Sequence, residues 1–169
     1  MPHRTPAHIR LVTIGALLTA TLIPTTTATA ETDAETGKIL RSDLEVVRID
    51  PDPAVPGGTT TVYAHVVNLG PDTTTAPFTV TVHLPPDATA EGPFFPDTCR
   101  VTLLSRGSNV RCTFPRGLGS NRTASAEVPI RLSPDTPLGN LNGGYVQVTA
   151  PIDDPNPNNN RQPFTIPVD

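Results

Sequence analysis

Apolar residues recur at every second position along much of this chain, the period of a β-strand with one face turned inward. From Thr59 to Asn68, Val62, Ala64 and Val66 fall on one face and Tyr63, His65 and Val67 on the other. Asn68-Leu69-Gly70-Pro71 follows with residues suited to a reversal. Phe78, Val80, Val82 and Leu84 alternate with Thr79, Thr81 and His83 until Pro85-Pro86 ends the run. These two inward faces are expected to form core together, with Asn68 to Pro71 as the turn between them.

The same reading gives a first strand from Asp43 to about Ile49, a hairpin of Val101 to Leu104 and Val110 about the turn-prone Ser105 to Asn109, and a strand with Ala124, Ala126, Val128, Ile130 and Leu132 on one face. Tyr145 to Ala150 and Phe164 to Val168 complete the set. Pro129 cannot donate to a ladder, so it predicts an edge position or a bulge. Asp50 to Gly58, Ala88 to Pro96 and Ser133 to Gly144 are rich in proline, glycine and turn residues and read as links. Prolines recur too often for a helix after residue 30. Seven or eight short strands with glycine and proline turns predict an all-β fold, an immunoglobulin-like antiparallel β-sandwich. With no tryptophan and few aromatic residues, its core must be valine, leucine and isoleucine.

Residues 1–30 carry a different signal. Arg4 and Arg10 precede the apolar run Leu11 to Ile23, and Ala28-Thr29-Ala30 supplies small residues before Glu31, as in a secretory signal peptide. The apolar run falls short of the roughly 20 residues that a membrane span needs. Residues 31–41, charged and without periodicity, read as a flexible lead-in, and residues 42–169 as one domain. No membrane anchor is expected after cleavage, so the product is expected outside the cell.

Cys99 and Cys112 are the only cysteines, and an even count in an exported chain argues for a disulfide. Folding the intervening residues as a hairpin brings the two sulfurs to the same end of adjacent strands. A zinc site lacks clustered histidines, and a redox pair lacks the C-x-x-C spacing. The formal charge is −4, and the arginines are scattered singly, so the sequence offers no stripe for phosphates and predicts no nucleic-acid partner.

Asp43-Leu44-Glu45-Val46, Pro56-Gly57-Gly58-Thr59, Val66-Val67-Asn68-Leu69-Gly70-Pro71, Leu84-Pro85-Pro86, Cys99 with Cys112, and Asp154-Pro155-Asn156-Pro157-Asn158-Asn159-Asn160 resemble, in that order, the conserved-repeat domain of bacterial surface proteins. That family is a domain of unknown function and is similar to the bacterial cell-adhesion-related domain. The resemblance spans about Ser42 to Asp169. It implies an immunoglobulin-like sandwich used as a spacer or adhesion module, with no catalytic residues. The family occurs in tandem on long anchored proteins, whereas this sequence carries one copy.

Candidate chemistry is sparse. His65 and His83 lie on the polar faces of predicted strands, where they could meet as metal ligands, though solvated histidines opposite threonines are the stronger reading. No serine shows a nucleophile elbow, and paired carboxylates would need a pocket that a small domain offers little wall for. Asp153, Asp154, Asn156 and Asn158 place hard oxygens close together, as calcium requires, but lack the glycine and distal glutamate of an EF-hand loop. Asp and Asn before proline also make turns, and the turn outweighs calcium. Phe94 and Phe95 suit either a hot spot or a plug for the open end of a sandwich, with the plug favoured. With Tyr63 and Tyr145 they are the only aromatics available to a binding surface.

The sequence therefore predicts a secreted, non-enzymatic binding or adhesion module without cofactors. Its expected partner is an extracellular protein or cell-wall component, met through the loops or an exposed edge strand. The competing expectation is a carbohydrate-binding or hydrolytic accessory domain on extracellular polysaccharide, which a row of exposed aromatics would favour.

Overall fold

A computed structural model describes residues 41–105, 107–150 and 154–169. The segments read as signal peptide and most of the lead-in lie outside them, as does Asp153. Two antiparallel sheets face each other. The first has the strand order β1 (Leu44–Val47), β2 (Thr59–Asn68), β7 (Thr123–Leu132), β4 (Ala88–Ala90). The second runs β5 (Arg100–Leu103), β6 (Ser108–Phe114), β3 (Phe78–Leu84), β8 (Gly139–Thr149), β9 (Arg161–Val168).

The period-two pattern becomes the core directly. Val62, Ala64 and Val66 of β2 and Ala126, Val128 and Ile130 of β7 turn inward from one sheet, and Val80, Val82, Val110 and Val148 meet them from the other. Their aliphatic side chains replace the missing tryptophan. The cysteines are joined, Cys99 just before β5 and Cys112 in β6, so the bridge ties neighbouring strands of one sheet, as the hairpin predicted. Both are buried against the core.

Several details differ from the sequence expectation. Asn68 to Pro71 does not close a hairpin between β2 and β3: β2 pairs with β1 and β7, and the chain crosses to the opposite sheet. Asn68 anchors that crossing, its Oδ1 accepting from the Gly70 and Asp43 N–H groups at 3.0 and 3.1 Å. A Cβ on Gly70 would collide with the Arg41 carbonyl and lie 2.7 Å from the Asp43 nitrogen, which explains the glycine. The short β4 forms within the link Ala88 to Pro96. β8 starts at Gly139 rather than Tyr145, because a bulge between Leu141 and Gly144 interrupts its alternation.

Pro129 sits in β7 between β2 and β4, not on an edge strand. Its carbonyl accepts from Glu91 N–H at 2.9 Å, so its nitrogen also points to that side, just past the end of three-residue β4. No ladder donor is missed there. Asp154 to Asn160 forms a turn, with the Asp154 carboxylate accepting from Asn156 N–H at 3.1 Å and from Asn160 Nδ2 at 2.9 Å. Asn159 Nδ2 donates to Asp43 Oδ1 at 2.9 Å, fastening this turn to the start of β1.

Candidate functional site

Pairing registers carry rows of side chains straight across a sheet, and the outer face of the five-stranded sheet holds two that the linear sequence conceals. Arg100 of β5 pairs with Arg111 of β6, Arg111 with Thr81 of β3, Thr81 with Gln147 of β8, and Gln147 with Arg161 of β9. Successive side chains of a strand alternate between faces, and Cys112, Val80 and Val148 beside this row are buried, so the row itself faces out. Arginines scattered along the chain are thereby gathered on one surface. Adjacent strands lie about 4.8 Å apart, so the row spans roughly 19 Å.

The neighbouring row reads Thr102, Asn109, His83, Tyr145, Pro163. His83 Nδ1 is hydrogen-bonded to Asn109 Oδ1 at 2.7 Å, and the His83 ring stacks on Tyr145 with centroids 4.6 Å apart. The Arg161 guanidinium lies 3.7 Å from the Tyr145 ring centroid, in cation–π contact. This contact holds Arg161 down along the sheet and leaves its charge at the surface.

No strand position on this outer face carries Asp or Glu among the described residues. The opposite sheet differs: its outer face carries Glu45 and Glu127, and its Arg131 Nε donates to Glu91 Oε1 at 2.6 Å. Glu91, by hydrogen bond and charge, raises the Arg131 pKa above its usual value. Among the described residues Arg100 donates to the backbone carbonyls of Asp97 and Cys99, at 2.6 and 2.7 Å. Arg111 stands beside it without a carboxylate among the described residues. An acidic chain thus presents one sheet face whose strands are basic and free of acid among the described residues.

At the β9 end the face opens into a depression of about 590 Å³ lined by Asn142, Tyr145, Asn158, Arg161, Pro163 and Thr165, over Phe164. The β8 bulge shapes it. Gly143 has φ +102°, and a Cβ on Gly144 would overlap the Phe164 ring, so both glycines are needed where the strand is diverted.

The residues singled out in the sequence are distributed rather than gathered. His65 and His83 are in opposite sheets and face away from each other, so they do not meet as ligands; His65 Nδ1 instead contacts Ser125 Oγ at 2.7 Å. No cluster of three or more His, Cys, Asp or Glu able to hold a metal occurs among the described residues. Of the calcium candidates, Asp154 has its carboxylate engaged by N–H donors, Asn156 follows it in the turn, and Asn158 lines the depression. Tyr63 lies on the outer face of the four-stranded sheet, near parallel to His65. Phe94 packs against the core margin, while Phe95 is 58% exposed and bonded through its backbone to Glu127. The aromatics form no row. Tyr145 alone belongs to the basic face, with His83 and Arg161 against its ring.

No family model matches the chain, and no curated protein does. Among solved structures it is similar to the seventh ScaB type I cohesin from Pseudobacteroides cellulosolvens, at 12% identity over 75% of this chain and 92% of that one, with a TM-score of 0.48. It is also similar to CaCohA2 from Clostridium acetobutylicum, at 13% identity over 76% and 92%, with a TM-score of 0.45. A chain from the complex of a CaDoc0917 variant with CaCohA2 gives 14% identity, 76% and 99% coverage, and a TM-score of 0.49. These values describe a distant likeness and say nothing of what the chain binds.

Proposed function

We propose that this protein is a secreted, non-enzymatic immunoglobulin-like binding module that recognises an acidic protein partner through the outer face of its five-stranded sheet. In this reading residues 1–30 direct export and residues 42–169 are the module. The observation that carries it is the row Arg100, Arg111, Thr81, Gln147, Arg161 on a face whose strands carry no carboxylate among the described residues. Charges of one sign gathered on one face steer an oppositely charged partner and oppose like-charged ones. Arginine suits the task because its planar fork pairs with carboxylates through two hydrogen bonds. The stacked His83 and Tyr145 supply a rigid, half-buried aromatic centre beside that row. The exposed Tyr63 and Phe95 and the half-buried Phe94 lie elsewhere, so a sugar chain would find no aromatic track on this face.

The test is differential capture by the exported protein and its Arg100→Glu/Arg111→Glu variant from the medium and wall extract of the source cells. The reading expects an acidic protein retained by the first, released by salt, and absent from the second. Equal capture by both, or retention of wall polysaccharide alone, would overturn it.

A further inference from the structure

The two sheets have four edges, and three carry specific devices against pairing at one or more outward positions. On β9 the outward backbone positions are Arg161, Pro163, Thr165 and Pro167. The prolines have no N–H, Thr165 N–H donates to Asp50 Oδ1 at 2.9 Å, and the Pro167 carbonyl accepts from Ala54 N–H at 3.0 Å. On β1 the outward Leu44 N–H reaches Asp154 Oδ2 at 3.4 Å. β4 has three residues, and its outward Ala88 N–H is taken by the Pro85 carbonyl at 3.1 Å. Such devices keep strand edges from pairing with other chains.

β5 is the exception. Leu104 N–H donates back to the Gly107 carbonyl at 3.3 Å, so Arg100 and Thr102 also point to β6, while the N–H and C=O groups of Val101 and Leu103 point away from it. No backbone or side-chain group among the described residues takes them. Both side chains lie on the inner side of the sheet, in line with Cys99, yet Leu103 is 80% exposed and Val101 42%, because the short β4 opposite does not extend over them. On the outer side of the same edge stand Arg100 and Arg111.

We infer that β5 is a strand-addition site, and that its occupant is an extended segment of a partner in which acidic residues alternate with apolar ones. This rests on the reading of the basic face and specifies how the partner meets it. A strand added to β5 turns alternate side chains to opposite faces. One set lies beside Arg100 and Thr102, where charge complementarity calls for carboxylates. The other lies beside Val101 and Leu103, where apolar side chains cover what the opposite sheet leaves bare. A second copy of β5 brings arginine rather than acid to this edge, so the edge fits a different chain.

The test uses the exported protein and an acetylated, amidated peptide of alternating glutamate and valine, with a second peptide of the same sequence N-methylated at every amide. Fluorescence anisotropy is expected to show binding of the first, at least tenfold weaker binding of the second, and slowed amide exchange at Val101 and Leu103 in the complex. Leu103→Pro removes an outward donor together with the Leu103 side chain and takes no N–H from the ladder to β6, so it should weaken the first peptide at least tenfold, whereas Leu103→Ala, which keeps the donor, should weaken it less. Arg100→Glu/Arg111→Glu reports separately on the basic face. Equal binding of the two peptides, with a loss in the charge variant, would retain the basic face and overturn strand addition. Absence of binding, or occupation of β5 by a second copy in the free protein, would overturn strand addition as well.

Discussion

Asn68 Nδ2 donates to the Leu118 carbonyl at 2.9 Å, joining residues 50 apart. The same amide donates to the Asp72 carbonyl at 2.8 Å, while its oxygen accepts from Gly70 and Asp43. A fully buried side chain thereby meets four backbone groups from three segments. Removing it strands four polar groups, the Gly70 N–H buried and the others half-buried, and a buried group left unpaired costs about 1–3 kcal/mol. Asn68→Ala should therefore lower the unfolding free energy by about 3 kcal/mol in urea titration. Asn68→Asp should be no milder, since a carboxylate offers no N–H to the two carbonyls.

The Cys99–Cys112 bridge closes a loop of 13 residues at the edge where the sheet is least covered. Constraining that loop in the unfolded chain contributes about 3 kcal/mol. Reduction, or Cys99→Ala, should lower the melting temperature by on the order of 10 °C, read by circular dichroism. Free thiols in the purified protein would contradict the bridge.

Gly144 lies under the Phe164 ring, where any Cβ overlaps it. Gly144→Ala should cost about 1–3 kcal/mol by forcing the ring aside, and the displaced ring should fill the depression beside Arg161. Gly119→Ala is the control, because its Cβ would make only ordinary contacts, the nearest at 3.6 Å. Equal melting temperatures for the two variants would contradict the packing described.

The closed edge of β9 makes its own prediction. Pro163→Val/Pro167→Val with Asp50→Ala restores two donors and frees the Thr165 N–H, which Asp50 holds. An unprotected edge recruits other strands, so sedimentation velocity should show concentration-dependent association for the triple variant and none for Asp50→Ala alone.

Alternation made most of the sandwich legible, because β2, β3, β6 and β7 are half buried over seven residues or more. It failed where physics other than burial decides. Ala88 to Ala90 is too short for a period and is a strand only because β7 offers it a partner. The first half of β8 loses its alternation to the bulge at Gly143, and β9 hides its start behind prolines that suit an edge. The basic face was invisible for a different reason. Arg100 and Arg111 flank the hairpin that the cysteines predict, but Arg161 is distant along the chain and joins them only through the pairing registers of β3, β8 and β9, which a single sequence does not display. Tyr145 was legible as an aromatic on a polar face, but its contacts with His83 and Arg161 were not.

The most direct measurement is calorimetric titration of the acidic protein that the capture experiment is expected to retain into the purified protein and two paired variants, at about 0.15 M salt. Arg111→Glu/Arg161→Glu alters the outer face of the five-stranded sheet, and Glu45→Gln/Glu127→Gln alters that of the four-stranded one. The account predicts at least a tenfold loss of affinity for the first pair and an unchanged affinity for the second. A loss confined to the second pair, or no loss in either, would contradict it.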